Sequence, residues 1–123
     1  MDALGNLEVW KRSSRLCVEI YRATQGCRDY GFRDQVTRSA LSIPSNIAEG
    51  YERDSEKELV RFLRIAKGSC GELWTQLHIG IEAGFIDKMQ AMRFAQEASE
   101  LSKMLQGLIR HYLDKLESLA TRN

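Results

Sequence analysis

Proline occurs once in 123 residues, and glycine and proline together are scarce except near a few junctions. So few breakers leave long uninterrupted stretches, and no alternation of apolar and polar residues runs long enough to predict a strand. No run of 18 apolar residues occurs, so no membrane-spanning helix is expected. Met1–Asn6 lacks the basic and apolar regions of a secretory leader, and none is expected. The three cysteines, Cys17, Cys27 and Cys70, are widely spaced and form no C-x-x-C pair. That usage points to reduced thiols in a cytoplasmic protein. Excess charge is missing as well: 18 Lys and Arg face 17 Asp and Glu, a net charge of +1. This balance argues against a globally basic nucleic-acid binder and leaves room for a local basic patch. Internal repeats and low-complexity tracts are absent, and 123 residues suit one domain, 1–123, with one core.

The ingredients of catalysis are just as sparse. Only His78 and His111 could serve as a base, and neither lies in a nucleophile motif. Cys70 falls on an apolar helical stripe, where an inert buried thiol is expected. A metal site in a helix core needs paired Glu-x-x-His motifs, and none occurs. His78 and Glu82 are four apart, but two ligands do not make a site. Gly68 and Gly71 lie inside a helical stretch, not after a strand, so they form no phosphate-binding loop. The expectation is a protein that is not an enzyme and holds neither metal nor cofactor.

What is present is helical periodicity in four segments. The first is predicted over about Leu7–Gln25, with Asn6 as N-cap and Leu7, Trp10, Cys17, Ile20 and Tyr21 as its apolar face. Gly26 ends it. The second runs from about Phe32 to Glu52. Ser55 and Glu58 form a capping box for the third, which extends to Ala83 with Gly84 as a left-handed cap. Its core stripe is Leu59, Phe62, Ala66, Cys70, Leu73 and Leu77. Asp87 and Gln90 repeat the capping pattern before the last helix, about Lys88–Leu119, and Ala120–Asn123 should fray. In that helix Ala91, Phe94, Ala98, Leu101, Leu105, Leu108 and Tyr112 step by three and four, as heptad a and d positions do. Long helices joined by short connections predict an all-α, antiparallel up-down-up-down four-helix bundle.

The single proline, Pro44, interrupts the second helix. Val36, Ala40, Ile43, Ile47 and Tyr51 continue one apolar face across it, so the helix is predicted to kink there, or to stop and restart. Ser42 and Ser45 are placed to satisfy the backbone groups that Pro44 frees, above all the Ala40 carbonyl. The segment Arg38–Tyr51, reading Ser42-Ile43-Pro44-Ser45-Asn46-Ile47-Ala48-Glu49-Gly50 at its centre, resembles the signature of the four-helix-bundle proteins encoded in intervening sequences of bacterial 23S ribosomal RNA genes. Glu58–Ser69, Gly71–Leu73 and Ala83–Ile86 extend the likeness, which spans roughly residues 7 to 113. The resemblance implies a ring-shaped homopentamer and carries no settled activity. The accessory proteins of diversity-generating retroelements, which associate with a reverse transcriptase, are similar in build and supply the alternative: a subunit that binds a nucleic-acid-handling protein.

Two features of the third helix need a use. Gly68 and Gly71 each cost about 1 kcal/mol against Ala in a helix interior. Lys67, Gly71, Trp74 and His78 line up beside the core stripe, so Gly68, Gly71, Trp74 and His78 are the expected subunit seam, with packing inside the chain an equal alternative. Lys57, Arg61, Arg64 and Lys67 face away from the core and are the candidate contacts for RNA or DNA. A solvated charged face is the plainer reading. The sequence therefore predicts a self-associating scaffold for nucleic acid or a partner protein.

Overall fold

A computed structural model describes residues 2–121, and every regular element among them is an α-helix: α1 (Asp2–Gly5), α2 (Glu8–Ala23), α3 (Tyr30–Tyr51), α4 (Glu56–Ala83) and α5 (Lys88–Thr121). The boundaries follow from side-chain caps. The Ser55 hydroxyl accepts from the Glu58 N–H at 3.1 Å. The Asp87 carboxylate accepts from the Gln90 N–H at 2.9 Å, and that of Asp29 from the Phe32 N–H at 2.8 Å. Gly84 closes α4 at φ 76°, a left-handed conformation that a residue with a Cβ rarely adopts. The reciprocal half of the capping box does not form, because the Glu58 carboxylate is held by Arg61 instead. At the far end α5 continues through Ala120 and Thr121, where fraying was expected; Arg122 and Asn123 lie outside the described residues.

The start of α2 differs from expectation. Its N-cap is Leu7, with no side-chain cap, and Asn6 does not serve. The Asn6 and Leu7 N–H groups donate back to the Ala3 and Leu4 carbonyls, so these residues belong to the turn that leaves α1. That unforeseen helix buries Leu4 in the common apolar cluster. The apolar face of α2 is Val9, Leu16, Cys17 and Ile20, with Ser13 buried among them. Tyr21, expected on it, is exposed. A face centred on Val9, Ser13, Leu16 and Ile20 leaves position 21 about 100° away.

α3 runs through Pro44 as one helix, which removes the stop-and-restart alternative. Ser42 and Ser45 do not serve the Ala40 carbonyl. Ser42 instead accepts from the Asn46 amide, which also donates to the Ser42 carbonyl at 2.8 Å, and its hydroxyl meets that of Ser69 on α4, also at 2.8 Å. The polar residues around the proline thus tie two helices together.

Packing centres on α4, which lies against both α3 and α5, while α2 lies against α3 and, more lightly, α5. The stripe Leu59, Phe62, Ala66, Cys70, Leu73 and Leu77 is buried in full. On α5 the expected positions hold through Leu105. Beyond it the buried residue is Ile109, with Leu108 and Tyr112 only half-buried. This is the drift of a 3.6-residue turn against a strict heptad step. No helix is long and apolar enough to cross a membrane among the described residues.

Two glycines set how closely the helices approach. A Cβ on Gly80 would lie 2.5 Å from the buried Phe32 ring, and one on Gly50 would lie 3.0 Å from both Leu59 and Phe62. Phe32 is held in turn by Phe85, ring centres 5.4 Å apart. Gly80→Ala and Gly50→Ala are therefore expected to destabilise by about 1–3 kcal/mol through overpacking. Gly68→Ala and Gly71→Ala, with nothing within 4 Å of the added Cβ, are expected to stabilise the isolated chain by up to about 1 kcal/mol. Urea melts of the four variants check both signs.

Candidate interaction surfaces

The outer face of α4 carries both sets of residues that the sequence singled out, and the fold separates them into two neighbouring surfaces. Lys57, Arg61 and Arg64 line an open groove of about 680 Å³ together with Val60 and Ile65 of α4 and Leu113 and Leu116 of α5. Arg61 donates to the Glu58 carboxylate at 3.0 Å and lies 4.5 Å from the Phe62 ring centre. That hydrogen bond, against slight desolvation, holds the Glu58 carboxyl below its ordinary range. Lys57 and Arg64 are exposed and have no ion-pair partner among the described residues. Lys67 is half-buried and does not line the groove. Ile65 and Leu113 are exposed apolar residues that the core stripe does not include. Their signal in the sequence is being apolar out of phase, Ile65 one position before the buried Ala66.

The expected seam residues lie further along the helix. Gly68 and Gly71 are exposed, with open space where a Cβ would be. Packing within the chain therefore does not explain them. Trp74 is 45% exposed, its ring 4.0 Å from that of His78, whose Nδ1 is 2.8 Å from the Trp74 carbonyl oxygen. Trp74, Thr75, His78, Ile79 and Glu82 border a shallow apolar depression of about 480 Å³, with Ile79 57% exposed at its rim. Ile79 is the residue that the stripe analysis passed over, two positions after the buried Leu77.

Reactive side chains gather nowhere comparable. Burial pushes the Cys70 thiol up to about 12, far from a nucleophilic thiolate. No group of three His, Cys, Asp or Glu residues is placed to hold a metal ion among the described residues. A further cleft of about 600 Å³ separates α2 from α5, and most of its charges pair with one another, Arg15 excepted. Arg12 Nε donates to Glu97 at 2.9 Å and Nη2 to Glu100 at 2.8 Å, while Arg93 pairs with Glu19 at 2.8 Å. The Arg12 hydrogen bond, opposed by burial, lowers the Glu97 carboxyl from its ordinary 4.5.

The comparisons with known proteins agree with this architecture. The family model described as 23S rRNA-intervening sequence protein matches residues 5–107. The chain belongs to that family. The likeness carried by the Pro44 segment thus holds over most of the molecule. Among solved structures, the chain is similar to a protein of unknown function from the S23 ribosomal protein family of Bacteroides thetaiotaomicron, with a TM-score of 0.76 and 25% identity. The alignment covers 82% of this chain and 97% of that one. No curated protein matches significantly.

The Arg12 cluster yields a pH dependence. A carboxyl that titrates lower when folded stabilises above its unfolded pKa, and that contribution is lost as pH falls through the folded value. Arg12→Met is expected to cost about 1 kcal/mol at neutral pH, the pair being partly exposed. The gap to the unsubstituted protein should close as pH drops below the ordinary carboxyl range. Urea melts between pH 7 and pH 3 check it; a gap unchanged at pH 3 would assign the loss to packing.

Proposed function

We propose that the chain is a non-catalytic helical scaffold that works by self-association through the outer face of α4. One observation carries the reading: Gly68 and Gly71 sit in open space in mid-helix, beside the exposed Trp74 and Ile79. Helix-destabilising glycines that admit no neighbour in their own chain gain a use when a second chain approaches. In this reading α2 to α5 form an up-down bundle. Lys115 near the end of α5 pairs with Glu56 at the start of α4, and Tyr51 at the end of α3 meets Tyr112 of α5. Arg12 meets Glu97 while Glu19 meets Arg93, so α2 and α5 run in opposite directions. The three free cysteines fit a reducing cytoplasm.

Light scattering behind a sizing column is expected to give a multiple of the 14.1 kDa chain mass. The ring of five implied by the resemblance is one such multiple. Trp74→Glu should lower the mass, and a monomer at micromolar concentration would overturn the reading.

A second reading, contact with nucleic acid, is favoured by Lys57 and Arg64 lying exposed without ion-pair partners among the described residues. Phosphate contacts would make binding fall steeply with salt and show little sequence preference. Salt titrations against unrelated RNA and DNA, repeated with Arg61→Glu and Arg64→Glu, test it. Equal binding by the double variant would leave these side chains a solvated face.

A further inference from the structure

The two walls of the groove at the start of α4 differ in chemistry. One is cationic: Lys57 and Arg64, two turns apart, stand exposed on the flank of α4 beside α5. The other is apolar: Leu113, 38% exposed, and the half-buried Leu116 of α5, with the buried Val60 at the base between them. Glu58 is the one acid that lines the groove, and Arg61 already holds it at 3.0 Å. Asp114 and Glu117 on the last turns of α5 do not line it.

The chain itself makes little use of these cations. Neither Lys57 nor Arg64 has an ion-pair partner among the described residues. Lys57 also stands in the first turn of α4, where the helix dipole favours acids and disfavours a cation. Phosphate alone would use the cations and leave the leucines idle. A flat membrane surface would meet the cations before the leucines, which lie in a recess between two helices. Counter-charge along one side and apolar contact along the other are what an amphipathic helix with acids beside its apolar stripe presents.

We propose that this groove docks an acidic amphipathic helix of a partner protein. Its apolar stripe rests on Val60, Leu113 and Leu116, and its carboxylates meet Lys57 and Arg64. These two cations lie about 10 Å apart along α4, a span that acids at positions i and i+7 of the partner match. The site does not depend on self-association, since Trp74 lies about 15 Å beyond Arg64 along the helix.

The test is fluorescence anisotropy of a labelled synthetic helix of about 14 residues, near the shortest that forms alone. It carries Leu at helical spacing and Glu at i and i+7 on one flank. The full chain is expected to bind it saturably, and more weakly as salt rises. Arg64→Glu and Leu113→Asp should each raise the dissociation constant about tenfold, with helix content by circular dichroism and mass by light scattering unchanged. Leu113→Ser, a milder change should the aspartate unwind the end of α5, should raise it about threefold. A control peptide of the same charge with Ser in place of Leu should not bind. Equal binding of that control, or no effect of either Leu113 variant, reduces the groove to a charged surface and overturns the proposal. Absence of binding at about 100 μM overturns it too. Single-stranded RNA or phosphatidylglycerol vesicles bound more tightly than the peptide, and indifferent to Leu113→Asp, would assign the cations to phosphate and overturn it. A lower assembly mass in Leu113→Asp would give the groove to self-association, which overturns the docking site while the scaffold reading stands.

Discussion

The contact on which the rest of the structure depends is the close approach of α3 to α4, held at two points by the absence of a side chain. At one end the Phe32 ring occupies the space where Gly80 has no Cβ; at the other, Leu59 and Phe62 fill that beside Gly50. Both points lie on fully or nearly buried surfaces, where a methyl group has nowhere to go. Between them, Ser42 and Ser69 share a hydrogen bond and the core positions Ala40, Ile43 and Ala66 are wholly enclosed. Together these contacts set the rotation of α4 about its own axis.

Once that rotation is set, everything on the far side of α4 follows. Core residues at Leu59, Ala66 and Leu73 turn Lys57, Arg64, Gly68 and Gly71 outward. The apolar residues Trp74 and Ile79 are exposed as well, Trp74 beside Gly71 in a groove bordered by Ala98, Ser99 and Ser102 of α5. Such residues are unexceptional when scattered singly. Here they adjoin two unsupported glycines and a groove with an apolar floor, which is the composition of a docking face more than of a solvated one.

The polar contacts have a different part. The Arg12 fork to Glu97 and Glu100 and the Arg93–Glu19 pair join α2 to α5 where few apolar residues meet. Ion pairs at this exposure contribute little each, so they orient α2 more than they hold it. The stability of α2 comes from Val9, Leu16 and Ile20 against the shared core, supplemented by Leu4 of the preceding turn.

Family membership, helix type, the starts of α4 and α5, the end of α4 and most of the core were legible in the sequence. Each is set by local physics: caps at Ser55 and Asp87, a left-handed glycine at 84, and periodic apolar stripes. The Pro44 segment was informative as a signature but misleading as mechanics, because its serine is used by a residue 27 positions away on another helix. What Gly50 and Gly80 accommodate, the exposure of Tyr21, and the open space beside Gly68 and Gly71 were decided by tertiary structure alone. A glycine in a helix reads the same whether a phenyl ring or solvent lies over it. Only the packing of distant segments distinguishes the two, since the atoms that fill or leave that space come from elsewhere in the chain.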